Sequence, residues 1–339
     1  MPTIPVISPD TRCWIVTDGK AGDLNQCLGL AERLGIAPEI RTVLPRAPFV
    51  WGMPLTWRIR PLAIDPAEAP GRAGGPLAGE MPDLVIASGR RAAPYLPAIK
   101  RQSGGHTFTV FLKDPRTSAE IADFLWVPEH DRLRAQNVMT TLLSPHRVSP
   151  TSLHILRMAQ PPTQIAALPS PRVAVLIGGN SKDFTFADTD VARFGAALEA
   201  LGRSGAGIMA TTSRRTPPAL AEAARAAIGN VGGGLWDGTG DNPYRDLLAH
   251  ADALVVTAES VNMVGEALAT GRSVHLFRPT GGSRKIDQFL RGLEARGLVH
   301  PFSGAVRDDR YEPVDDTDVI AQELARRYAR LRDAQGQEE

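Results

Sequence analysis

The chain has 339 residues, more than one hydrophobic core usually serves, so two domains are expected. Hydrophobic residues at 43% and charged residues at 22% exclude a disordered chain, and a net charge of +1 gives no reason to expect nucleic acid or an anionic membrane as partner. No run of eighteen apolar residues occurs and the start MPTIPVISPDTR lacks the segments of a secretory signal, so the expectation is a cytoplasmic protein with no transmembrane segment and peripheral membrane contact at most.

The first predicted element is the apolar run CWIVT, followed by the glycine loop DGKAGD and by LNQCLGLAERLG, where Leu24, Leu28, Ala31 and Leu34 recur at helical spacing. Cys13 and Cys27 fall on this strand and helix, where structural thiols are common. The Pro- and Gly-rich stretch from Arg46 to Pro82 reads as a surface excursion or an acceptor-side lid. Beyond it come PDLVIASGRRAAPYLPAIKR, then probable strands at HTFTVFL and DFLWVP. Strands alternating with helices indicate a parallel sheet covered on both faces.

A Pro-dense connector over 158–171 separates a first domain, 1–157, from a second, 172–312. The second reads as strand 172–177, helix 188–202, strand GIMATTS, helix 217–228, a Gly-rich passage, helix 243–250, strand ALVVT, helix 260–270 and strand SVHLF. A terminal helix within 313–339, with an apolar stripe at Val319, Leu324 and Tyr328, is expected to pack back toward the first domain. The fold class is therefore α/β, two doubly wound Rossmann-like domains facing a cleft, with ligands at the carboxyl ends of the strands.

Candidate ligand residues follow predicted strands. In ADALVVTAESVNMVGEALATG, strand 253–257 ends in a short turn, Ala258 and Glu259, and Ser260 stands at a helix N-cap. Free amides at such a helix start favour a phosphate, and Glu266, sharing a face with Asn262, is placed to accept from ribose hydroxyls; a capped helix with a solvated Glu is the alternative. In GIMATTSRRTPP, Ser213, Arg214 and Arg215 offer donors for a diphosphate, unless the arginines are simply solvated. In LIGGNSKDF, Gly178 and Gly179 allow close backbone approach while Asn180, Ser181 and Lys182 supply donors, or the segment is only a tight turn. Neither Walker nor GxGxxG spacing is present.

In the first domain, Asp18 is the candidate general base for an acceptor hydroxyl, with Lys20, Asp23, Asn25 and Gln26 beside it; a loop Asp bonding its own backbone is the alternative. Ser88, Gly89 and Arg90, then Lys113, Asp114 and Arg116, then His130 and Asp131 occupy later strand ends. The seven histidines show no metal-ligand spacing and there is no GxSxG elbow, so no metal or cofactor is expected.

These segments together resemble the mitochondrial fission ELM family. The matching pieces are TDGKAGDLNQCLGLAERLG, PDLVIASGRRAAPYL, VPEHD, LIGGNSKDF, TTSRRTP, NPYRDLLAHADALVVTAESVNMVGEALATGRSVHLF and DQFLRGLEARGLVHPF. The resemblance implies a GT-B-like fold and, for bacterial members, a label of nucleoside-diphosphate-sugar epimerase. The C-terminal segment also looks like that of the transferase adding N-acetylglucosamine to the lipid-linked peptidoglycan precursor. That likeness implies that Glu266 holds the ribose, that Gly178, Gly179 and Ser260 surround the diphosphate, and that Asn242 and Pro243 stand near the base.

The resulting expectation is a metal-independent nucleotide-sugar glycosyltransferase. Its catalytic candidates are Asp18, Lys20 and His130, and its acceptor is unknown, a cell-envelope glycan or lipid being one option. The alternatives are a sugar-nucleotide 2-epimerase and a non-catalytic GT-B scaffold or adaptor of the kind associated with plant members.

Overall fold

The computed structural model describes residues 7–59, 63–236 and 238–335. The chain divides into two compact units, one of residues 1–147 with 316–339 and one of residues 148–315. In chain order the elements begin with β1 (Cys13–Thr17), α1 (Ala21–Arg33), β2 (Pro38–Thr42), α2 (Phe49–Gly52), β3 (Leu84–Ser88) and α3 (Tyr95–Gln102). Then come β4 (Phe108–Leu112), β5 (Phe124–Pro128), β6 (Val138–Thr141), α4 (Pro150–Met158), α5 (Thr163–Ala166), β7 (Arg172–Ile177), α6 (Asp188–Arg203) and β8 (Gly207–Thr212). The rest are α7 (Pro218–Gly229), β9 (Gly234–Trp236), α8 (Tyr244–His250), β10 (Ala253–Thr257), α9 (Val261–Leu268), β11 (Ser273–Phe277), α10 (Arg284–Ala295), β12 (Val299–Pro301) and α11 (Thr317–Gln335).

The first unit is built on a six-stranded sheet of order β2-β1-β3-β4-β5-β6, every pair parallel. Alternation along its strands feeds two cores. Cys13 and Ile15 of β1, with Leu84 and Ile86 of β3, join Cys27, Leu30 and Ala31 of α1 on one face. Trp14 and Val16, with Val85 and Ala87, join Tyr95, Leu96 and Ile99 on the other. A strand covered on both faces must be apolar throughout, which is why CWIVT and LVIAS read as unbroken runs.

Helix α11 completes the first of these cores with Ile320, Ala321, Leu324, Ala325 and Tyr328, the Tyr328 ring lying edge-on to Phe108 at 5.9 Å. The stripe expected at Val319 is corrected: Val319 is 51% exposed and Ile320 takes the inner place, because positions four apart stay on one helix face while 319 is rotated away from 324. The 46–82 excursion holds a short helix, α2, and is anchored by Asp65. That buried carboxylate accepts from Arg46 Nε and Nη2 at 2.8 and 2.9 Å and from the Arg46 and Ala67 amides at 3.1 and 2.9 Å.

The second unit carries a parallel sheet of order β12-β11-β10-β7-β8-β9. Counted within the unit and read from β9, this is 3-2-1-4-5-6, the order of dinucleotide-binding folds. Val173, Val175 and Ile177 of β7 face Phe194, Leu198 and Leu201 of α6 and Leu220, Ala224 and Ile228 of α7. The unit begins at Val148, ahead of the connector expected at 158–171. The reason is α4: its Arg157 donates to Ala249 O at 2.9 Å and Thr270 O at 2.6 Å, satisfying carbonyls at the ends of α8 and α9.

Candidate functional site

In a doubly wound sheet the loops at the strand-order reversal diverge and leave room for a ligand. In the second unit that reversal lies between β7 and β10. The loops after these strands are Gly178–Lys182 and Ala258–Ser260, and the geometry between them is tight. The Gly178 amide donates to Thr257 Oγ1 at 2.8 Å and the Gly179 amide donates to Glu259 Oε1 at 2.7 Å.

A Cβ at Gly178 would overlap Glu259 Oε1, and one at Gly179 would overlap the Arg215 carbonyl, so both glycines are needed for contacts inside the protein. The close approach expected toward a ligand is here an approach to Glu259 and to the β8 loop. The Asn180 amide donates to Arg215 O at 3.2 Å, and Arg215 Nη1 returns a bond to Asn180 O at 3.1 Å. Asn180 Oδ1 accepts from the Phe186 amide at 3.0 Å, which makes this side chain a loop former.

Ser213 closes its own turn: its amide donates to Thr216 Oγ1 at 2.8 Å, its Oγ accepts from the Arg215 amide at 3.2 Å, and Thr216 Oγ1 donates to Gly178 O at 2.5 Å. The β7 and β8 loops are thereby stitched into one body. Arg214 and Arg215 are exposed, and Lys182 extends into solvent with Asp183 Oδ2 at 4.0 Å. Three cations therefore sit on loops at one end of the sheet.

Ser260 occupies the N-cap position of α9, but its side chain makes no capping bond, so the hydroxyl and the first-turn amides are not spent on each other. Glu266, farther along α9, accepts a hydrogen bond from the Tyr244 hydroxyl. Burial pushes the Glu266 carboxyl up to about 7, the tyrosine bond opposing that shift. Burial raises the Tyr244 hydroxyl well above its ordinary value, and the adjacent carboxylate adds to the effect. Asn242 Oδ1 accepts from the Tyr244 amide at 3.0 Å and Pro243 is the N-cap of α8, so Asn242, Pro243, Tyr244 and Glu266 form one cluster.

In the first unit the reversal lies between β1 and β3. Asp18 follows β1 and packs its carboxylate against Gly89, whose φ of +101° and lack of a Cβ make the room. The Asp18 side chain is 2% exposed; Lys20 Nζ donates to its Oδ2 at 2.9 Å, and Oδ1 has no hydrogen-bond partner. The adjacent Gly19 amide donates to Thr17 Oγ1, at 3.2 Å. Lys113, after β4, pairs with Asp23 of α1 and holds a left-handed φ of +85°, a backbone state uncommon outside glycine. His130 is not brought to this cluster. It follows β5, three strand positions from β1, about 14 Å away at ordinary strand spacing.

Among the described residues no group of three or more His, Cys, Asp or Glu is placed to hold a metal ion, and no helix is long and apolar enough to cross a membrane. The profile of the family described as Mitochondrial fission ELM1 matches residues 21–328. The chain belongs to this family.

Among relatives of this ELM1-family chain, the mitochondrial fission protein ELM1 of Arabidopsis thaliana is 29% identical over 276 residues, covering 73% of the chain and 64% of the plant protein. The chain thus spans somewhat under two thirds of that relative's length. An uncharacterized protein of Rickettsia prowazekii is 28% identical over 44% of each chain. Among solved structures, one from Listeria monocytogenes, named for UDP-N-acetylglucosamine 2-epimerase, superposes with a TM-score of 0.51 at 12% identity, over 92% of this chain and 94% of its own. The fold is that of GT-B glycosyltransferases and epimerases, two Rossmann-like α/β domains.

Two residues of the ELM1-family site stand out only in three dimensions. Glu259 is 6% exposed, and burial pushes its carboxyl up to about 7 against bonds from Thr257 and Gly179 and the field of Arg215. Tyr244 holds Glu266. The available signal for Glu259 was an acid two residues beyond the apolar strand ALVVT; for Tyr244 it was an aromatic immediately after Asn-Pro.

Proposed function

We propose that this chain binds a nucleoside diphosphate sugar at the end of its second sheet and transfers the sugar to an acceptor hydroxyl, as GT-B glycosyltransferases do. The observation that carries the reading is α9. Its N-terminus opens at the strand-order reversal with the Ser260 hydroxyl unspent, and the same helix carries Glu266, whose Oε2 is held by Tyr244.

In this reading the first turn of α9 receives the diphosphate, Arg214, Arg215 and Lys182 offset its charge as it departs, and Glu266 accepts from ribose hydroxyls. Within the first unit, Asp18, held by Lys20 with Oδ1 unpartnered, is the group suited to take a proton from a hydroxyl. No step requires a metal.

The test is calorimetry and thermal shift of the purified chain with UDP-, GDP-, ADP- and CDP-sugars, UDP first because of the name carried by the Listeria protein. One base family is expected to bind and stabilise. Glu266→Ala is expected to weaken that binding by about 1–3 kcal/mol, the usual value of a hydrogen bond to a charged group, and also to lower the melting temperature of the free protein, because the Tyr244 hydroxyl loses its partner. Unchanged affinity in this variant removes the ribose role. Radiolabelled sugar altered without any acceptor would favour 2-epimerase chemistry.

A second reading is a non-catalytic GT-B scaffold. It is favoured by the Gly178 and Gly179 amides, both of which are bonded within the protein. Absence of binding by every nucleotide sugar would select it.

A further inference from the structure

We infer that Glu259 is a ligand residue of this site that acts as the neutral acid, carrying a proton on Oε2 and donating it in a hydrogen bond to a phosphoryl oxygen of the bound nucleotide. The inference rests on the nucleotide reading above and deepens it, because it adds one proton to the complex.

The two oxygens of this carboxyl are unequal. Oε1 accepts from the Gly179 amide at 2.7 Å and lies 3.2 Å from the Thr257 hydroxyl. Oε2 is buried as well and has no partner. Charge left on a buried oxygen without a donor is costly, whereas a proton placed there removes the charge and converts the oxygen into a donor lacking an acceptor. Oε1 keeps both of its donors in either state, so the proton belongs on Oε2.

The groups around the carboxyl do not supply enough positive charge to change this. The Glu259 backbone amide itself favours the charged form, the β7 loop brings Gly178 and Gly179, β10 brings Thr257, and the β8 loop brings Arg215 as the charged neighbour. Arg215 is exposed to water, so its field is screened.

The position supplies the missing acceptor. Glu259 directly precedes Ser260 at the start of the eight-residue helix α9, where an anion is favoured, and it lies at the strand-order reversal. Oε2 is shielded from solvent in the free protein, so the carboxyl turns toward the helix start for a phosphoryl oxygen seated there to accept the Oε2 proton. The proton comes from solvent, one for each ligand bound by ionised protein, and no bond within the ligand is made or broken.

The experiment is titration calorimetry of the full chain with the nucleotide sugar that binds most tightly among the four base families, at pH 6 and pH 8. The diphosphate of such a sugar is a diester and does not titrate in this range. Wild-type affinity is expected to fall about tenfold from pH 6 to pH 8, and repeating the titration at pH 8 in buffers of different ionisation enthalpy should show close to one proton taken up. Glu259→Gln, which retains a donor at the same place, should bind at pH 8 about as tightly as wild type does at pH 6 and should show no pH dependence.

Equal wild-type affinity at the two pH values without proton uptake overturns the inference. So does a Glu259→Gln variant that reproduces the wild-type profile, since the proton then resides elsewhere. Should that variant fail to fold, the proton count on the wild type decides alone. Absence of binding by every nucleotide sugar at both pH values defeats the nucleotide reading and this inference with it, whereas binding without proton uptake defeats only the inference.

Discussion

A carboxyl taken out of water is destabilised in its charged form, and the second unit carries two such groups seven positions apart, Glu259 and Glu266. Both are raised from 4.5 to about 7 in the folded protein. Below pH 4.5 the folded and unfolded chains hold these protons alike and the contribution to stability is fully present. Between 4.5 and 7 the unfolded chain releases them first, so stability declines as pH rises, and above 7 the loss is complete. Glu259→Gln should remove its share, up to about 3 kcal/mol at one pKa unit per 1.4 kcal/mol, read as the wild-type-minus-variant difference in urea unfolding between pH 5 and pH 8. Taking the difference is necessary because Asp65 and Asp190 have lowered pKa values and work in the opposite direction at acid pH. Glu266 could be singled out in the sequence because helical spacing places it on one face with Asn262, although its burial against Tyr244 could not. Glu259 was not singled out, because what traps it is Gly178, eighty-one positions earlier, and local pattern does not reveal contacts across a sheet.

The same limit operates on whole elements. The eight strands that the sequence displays, four in each unit, are the inner strands of the two sheets, and those it hides are β2, β6, β9 and β12, all of them edges. Inner strands are covered on both faces and must be apolar. Edge strands such as PEIRT and VMTT need only half-cover, and GLW and VHP are three residues long. The excursion between β2 and β3 is likewise hidden from local pattern, since its order comes from distant contacts, of which the Asp65 carboxylate makes the most hydrogen bonds. Asp65 is buried, and the bonds it accepts from Arg46 and Ala67 tie the two sides of the segment. Asp65→Ala leaves two amides without their acceptor and releases Arg46. Trypsin is therefore expected to cut this variant at Arg58 many times faster than wild type, while the far-ultraviolet circular dichroism stays unchanged. Equal cleavage rates would show that Glu68, which accepts from the Leu44 amide and Tyr95, holds the segment by itself.

At the scale of the molecule, the chain returns at α11 to a unit it has left. The second unit is one continuous stretch, Val148–Asp315, with its sheet and the Phe194, Leu198 and Ile228 core inside its own limits. The first unit is not continuous. Residues up to Arg147 leave one face of their sheet dependent on Ile320, Leu324 and Tyr328, and Asp316 Oδ2 accepts from the Leu143 amide at 2.7 Å to fasten the returning chain. Two fragments should therefore behave differently. Residues 148–315 expressed alone should fold cooperatively and, on the nucleotide reading, retain the ligand affinity that resides in that unit. Residues 1–147 should aggregate or remain molten, since removing the helix uncovers Phe108 and Phe124, which it packs against, and a separate 316–339 peptide supplied in trans should restore cooperative unfolding. Three buried side chains of this size are worth about 1.5–3 kcal/mol each, a sum comparable to the whole stability of a typical domain. Cooperative folding of 1–147 without the peptide would mean that α11 covers the sheet without stabilising it. In the intact chain, Leu324→Ala is the milder form of the same test, with an expected loss of about 2–5 kcal/mol from the first unit.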